Sequence, residues 1–165
     1  MKKIILTIMA LVALTCCAKH DKSKSSETED MKPTGEQMLE MLNEQGLSLL
    51  VYNDSVLTTH DSKGVQDLLQ LIAEQPERLR GAIVADKIIG KAAAALMASG
   101  GVVEVHTNII CTPARELLER EGIKVYAGEE VPKIMNKDWS GQCPMDARLN
   151  GVETVEECVE ILRGM

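Results

Sequence analysis

Three short clusters hold the side chains in this chain that could do chemistry. Asp86-Lys87 follows one apolar run, and Cys111-Thr112 follows another. Each stands where a strand is expected to pass into a helix. Open α/β sheets gather ligands at the carboxyl ends of their strands, and the free N–H groups of a helix start favour anions. Asp86 also suits a plain helix cap, Lys87 a solvated first-turn lysine and Cys111 a small buried thiol. A thiol just before a helix start can also have a lowered pKa. The third cluster, residues 136–146, is polar and aperiodic and contains Asn136, Trp139, Cys143 and Asp146. It fits a crossover that packs Trp139 and Met145 on the core, or a loop over a pocket. On the chemical reading, Asp86, Lys87 and Cys111 are the catalytic candidates, with Cys143 and Asp146 assisting. Asp86, Lys87, Thr112 and Asn136 are the candidates for holding a ligand.

The elements that must position these groups follow from hydrophobic spacing. Residues 36–45 predict a helix, with Met38, Leu39 and Leu42 on one face and Gly46 as its stop. Residues 47–52 and 55–59 predict a hairpin turning at Asn53-Asp54. Val65, Leu68, Leu69 and Ile72 have the spacing of an amphipathic helix, which Pro76 closes. Residues 81–85 predict a buried strand, after which Asp86 would cap a helix over 87–99 ended by Gly100-Gly101. A strand over 102–110 leads to Thr112-Pro113, a capping hydroxyl with proline in the first turn. Gly122 ends that helix, residues 123–127 form a strand, and Val155, Cys158, Val159 and Leu162 mark a last helix with Cys158 buried. A hairpin followed by alternating helices and strands implies a mixed sheet with helices on its faces. His60 and His106 lack metal-ligand spacing and are expected at the surface or hydrogen-bonded within the fold. Glu129-Glu130 and Glu156-Glu157 read as solvated faces.

The N-terminus has a different grammar. Lys2-Lys3 precedes an apolar run over residues 4–14 and then Thr15-Cys16-Cys17. That run is too short to span a bilayer, which needs about 20 residues, and the order of charge, apolar core and small residues is that of a secretory signal. The cysteines resemble a bacterial lipobox, with Cys17 as the lipid acceptor and Cys16 as the alternative. Residues 1–16 are thus expected to be a signal peptide, residues 17–32 a disordered polar tether that includes His20, and residues 33–165 a single domain. The expected location is the bacterial cell envelope, with the protein exported and held to the membrane by lipid. Removing Lys2 and Lys3 takes the formal charge from −7 to −9, and the chain has no Phe, two Tyr and one Trp. Such an acidic domain, poor in stacking platforms, argues against nucleic acid as a partner and leaves a small molecule. No Gly-rich dinucleotide loop, Walker loop or nucleophile elbow is present, and no cofactor is called for. In an oxidising compartment Cys111 and Cys143 could pair or act as a redox couple, although they lack Cys-x-x-Cys proximity.

Residues 48–51 (Ser-Leu-Leu-Val), 81–94 (Gly-Ala-Ile-Val-Ala-Asp-Lys-Ile-Ile-Gly-Lys-Ala-Ala-Ala) and 131–136 (Val-Pro-Lys-Ile-Met-Asn), leading to Cys143-Pro144-Met145, resemble the domain of unknown function 1893 family. The resemblance implies a cytidine deaminase-like fold, a three-layer α/β/α sandwich. It also implies a Glu after Met145, where this chain has Asp146. Zinc deaminases need a His- or Cys-x-Glu at one helix start and Pro-Cys-x-x-Cys at the next. Here the corresponding stretches are expected to be Ala85-Asp86-Lys87 and Cys111-Thr112-Pro113-Ala114-Arg115. One thiol is too few to make that zinc site. The sequence therefore points first to a lipid-anchored domain that binds a small anionic or nucleotide-like ligand. The alternatives are an enzyme using Asp86, Lys87 and Cys111, and a thiol redox or protein-interaction module.

Overall fold

The computed structural model describes residues 32–165. The expected signal peptide, Cys16, Cys17 and the expected tether up to residue 31 lie outside the described residues. Helix α1 (Gly35–Glu44) opens the described chain with a capping box: Thr34 accepts from the Gln37 N–H, and the Gln37 side chain reaches back to the Thr34 N–H. This reciprocal arrangement satisfies two helix-start donors at once. Strands β1 (Leu49–Asn53) and β2 (Val56–His60) then form an antiparallel hairpin. Its two-residue turn is Asp54-Ser55, both at positive φ (47° and 62°), which matches the twist of the paired strands.

After α2 (Gln66–Glu74) and a 3-10 turn at Pro76–Arg78, the chain alternates: β3 (Ile83–Ile89), α3 (Lys91–Gly100), β4 (Glu104–Cys111), α4 (Thr112–Arg120) and β5 (Lys124–Val131). A one-turn helix α5 (Pro144–Ala147) and α6 (Val155–Arg163) complete it. The sheet runs β2-β1-β3-β4-β5; β1 is antiparallel to both neighbours, and β3, β4 and β5 are parallel. Helices cover both faces, giving a three-layer α/β/α sandwich.

One face of the sheet is covered by α1, whose Met38 and Leu42 pack with Leu50, Ile83 and Ala85. The larger core lies on the other face around α3, where six consecutive residues, Ala92 to Met97, are buried. A helix apolar on every side belongs inside, and four successive alanines let α4 and α6 approach it closely.

Two expectations at this junction are corrected. The strand expected to stop at Ala85 runs on to Ile89, and the helix expected from Lys87 starts at Lys91. The β-branched pair Ile88-Ile89 extends the strand, and Gly90 is the N-cap residue. Asp86 and Lys87 are therefore strand residues, neither helix cap nor first-turn lysine. Trp139, expected on the core, is 78% exposed at a positive φ of 57°, while Met145 does pack against the core. His106 is buried and hydrogen-bonded to Glu104. Among the described residues no helix is long and apolar enough to cross a membrane.

Candidate functional site

The carboxyl end of β3, the start of α3 and the segment from Ile134 to Asp146 enclose a cleft of about 690 Å³. Leu47, Val65, Ala92, Ala93, Ile134 and Met145 give it apolar walls; Asp86, Lys87 and Asp146 are among its polar groups. A mostly apolar concavity with a few convergent polar groups is the usual form of a small-molecule site.

Asp86 pairs with Leu49 of β1 and Thr107 of β4. Its Oδ1 accepts the Ile88 N–H at 3.0 Å. Burial pushes its carboxyl from an ordinary 3.8 up to about 7; the Ile88 hydrogen bond opposes the shift and the charge of Asp67 adds to it. Asp67 is itself held by the Ser62 N–H at 3.0 Å and the Ser48 hydroxyl at 3.3 Å.

Asp146 does for α3 what no side chain of that helix can do. Gly90 offers no capping side chain, and Asp146, 54 residues further on, accepts the Ala92 N–H at 3.0 Å through Oδ1. The residue is only 4% exposed, and its Oδ2 is buried without a hydrogen-bond partner. Burial raises the Asp146 pKa; the N–H groups of Ala92 and Lys91 and the Lys91 ammonium pull it back. Lys91 fastens the same region from the other side, its Nζ donating to the carbonyls of Leu149 (3.0 Å) and Val152.

Cys111 opens onto a separate pocket of about 270 Å³ with Lys91, Lys133, Gln142, Asn150 and, again, Asp146. Burial raises its thiol pKa, partly offset by the Ala114 N–H, and the Asp146 charge raises it further. A raised pKa leaves little of the nucleophilic thiolate. Cys111, Cys143 and Cys158 are free thiols. In native protein Cys143, which is partly exposed, is expected to alkylate at least about tenfold faster than buried Cys111 and Cys158, with the three rates converging in denaturant. Peptide mapping after a timed iodoacetamide pulse reads this, and equal native rates would contradict the burial of Cys111.

The sequence candidates are thus distributed unevenly. Asp86, Lys87, Cys143 and Asp146 meet in the large cleft, Cys111 shares only Asp146 with them, and Thr112 and Asn136 line neither pocket. The Thr112 hydroxyl donates to Glu130 at 2.8 Å, joining α4 to β5. Asn136 closes its own loop, donating to Ser140 Oγ and accepting the Gly141 N–H. Lys91 was missed because the helix was expected to begin earlier. The signal available for it was Gly90, since a helix that starts after glycine needs its acceptor from elsewhere.

Fold and cleft together define a small α/β sandwich domain with an apolar-walled cleft, bearing a few polar groups, at the carboxyl end of β3. Residues 37–165 match the family described as TM1506, Domain of unknown function (DUF1893), and the chain belongs to that family. Its fold is similar to the crystal structure of a DUF1893 family protein from Thermotoga maritima, with a TM-score of 0.71 and 26% identity over 78% of this chain and 87% of that one. Among curated proteins there is no match.

Proposed function

We propose that this protein is a lipid-tethered domain of deaminase-like fold that binds a small polar molecule in the 690 Å³ cleft and performs no zinc chemistry. The observation that carries the proposal is the meeting of Asp86 and Asp146, two carboxyls whose pKa burial raises, within one apolar-walled concavity at the end of β3. Perturbed acids in a cleft are candidates for a functional site. The mixed sheet with helices on both faces supports the deaminase-like sandwich, but the residues at its two helix starts do not suit the metal. They are Gly90-Lys91-Ala92 and Cys111-Thr112-Pro113-Ala114, and among the described residues no three His, Cys, Asp or Glu side chains converge as ligands. A single thiol beside a lysine is not a zinc donor set. Because Cys111 faces a different pocket, Asp86, Lys87 and Cys111 do not form one reaction centre in this proposal.

Native mass spectrometry of the mature protein from its host is the test. A stoichiometric small molecule that is lost in Asp86→Ala is expected. A protein that arrives bare, and whose cleft variants bind nothing differently in a metabolite screen, would sink the proposal. The tether is tested separately: Cys17→Ser should abolish metabolic incorporation of palmitate. Unchanged incorporation in that variant would move the acceptor to Cys16, and none in the parent chain would remove the anchor.

A further inference from the structure

Two large apolar side chains stand in water beside the cleft. Trp139 is 78% exposed, on the loop whose Lys137 lines the cleft, and Ile88, itself a lining residue, is 48% exposed. The loop presents Trp139 in a fixed way. Asn136 donates to Ser140 through its side chain and accepts the Gly141 N–H, while the Trp139 N–H donates to the Asn136 carbonyl. Lysines surround these two residues. Lys63, Lys87 and Lys137 line the cleft, Lys133 precedes the loop, and among the described residues none of the four is in an ion pair. The exposed carboxylates nearest to them in the chain are Asp61 and Asp138, and Asp138 already accepts from Ser140.

An exposed indole among lysines is the composition that settles at a bilayer interface: Trp favours headgroup level, and lysines are drawn to anionic headgroups. We propose that the cleft face, through Trp139, Ile88 and these lysines, docks on an anionic lipid surface. This goes beyond the small-molecule proposal and rests on the lipid tether proposed above for its nearness to a membrane. Fifteen residues, 18–32, separate Cys17 from the domain, and fully extended they reach about 50 Å. The domain begins beside Glu104 and Tyr126, near the starts of β4 and β5. The cleft lies at the other end of the seven-residue β3, roughly 23 Å along the strand. The tether is thus long enough for either end of the sheet to meet the bilayer, and the composition of the face decides. The acidic net charge opposes docking little, because screening confines exposed charges to about 8 Å at physiological salt.

Trp139 is the chain's one Trp, so indole emission reports this loop alone. The full-length processed protein is reconstituted in vesicles of phosphatidylcholine and in vesicles of equal parts phosphatidylcholine and phosphatidylglycerol. In the anionic vesicles the emission is expected to shift to the blue and to be quenched by acyl-brominated lipid. In phosphatidylcholine alone it should stay that of indole in water. Lys137→Glu should weaken docking at least about tenfold, whereas Lys124→Glu, at the start of β5, should leave it unchanged. Both lysines are exposed, so both variants are expected to fold. Water-like emission on both vesicles, equal quenching on both, or equal effects of the two substitutions would overturn the inference. A blue shift that follows protein concentration without lipid would make this face a contact between copies and overturn it as well. If palmitate labelling shows no acyl chain, the tether proposal fails by itself. The unlipidated protein is then titrated with the same vesicles: a response confined to the anionic ones upholds the inference, and no response overturns it.

Discussion

Asp86→Asn is expected to stabilise the domain by about 2–4 kcal/mol at pH 8 and to change it little at pH 3. The folded chain holds the Asp86 carboxyl at about 7 against an ordinary 3.8, so folding favours the protonated form. Below the lower value both states carry the proton and nothing is lost. Between the two values the native state binds more protons than the unfolded chain, and stability falls as pH rises. Full conversion at about 1.4 kcal/mol per pKa unit gives the upper end of the range, and partial exposure of the side chain reduces it. Asparagine keeps the acceptor for the Ile88 N–H and removes the charge. Urea unfolding of both proteins from pH 3 to pH 8 measures the difference, which should open between about pH 4 and pH 7. A difference independent of pH would show that Asp86 is not the titrating group. Under the binding proposal the same variant is also expected to lose the small molecule.

The architecture was largely legible in the sequence because it rests on period. The i, i+3, i+4 spacing around Leu68 and Val159 and the apolar runs before Asp86 and Cys111 leave little choice of element type. The junction was not legible to the same degree. Asp86 before a lysine and an alanine-rich stretch imitates a helix cap, and this local signal competed with Ile88-Ile89, whose branched side chains favour strand. Tertiary pairing decided the matter: Ile88 and Ile89 bridge to Ile109 and Ile110 of β4. The cap that α3 does use comes from Asp146, and no window along the chain contains both ends of a contact spanning 54 residues. Trp139 misled for the opposite reason. Hydrophobic size argued for the core, but the Asn136–Gly141 hydrogen bonds fix a tight loop that turns the indole outward.

Gly90→Ala is expected to destabilise the domain by about 2–4 kcal/mol, a large effect for one methyl group. Gly90 is extended, at φ −91° and ψ 175°, so alanine has no backbone conflict there and the cost is steric. The new Cβ would fall inside contact distance of both Asp146 oxygens, and the carboxylate can move aside only by giving up the Ala92 N–H. Overpacking of this kind costs about 1–3 kcal/mol. Pushing Asp146 aside also releases the Ala92 N–H, and losing a cap costs about 1 kcal/mol more. The two losses share one carboxylate, which makes the explanation separable from a general intolerance of side chains at this position. In an Asp146→Ala background the obstacle is gone and the cap already absent, so Gly90→Ala should then cost less than about 1 kcal/mol. The double-mutant cycle should therefore show a coupling of about 2 kcal/mol between two residues far apart in sequence. Additive costs would mean that Gly90 is required by something other than Asp146.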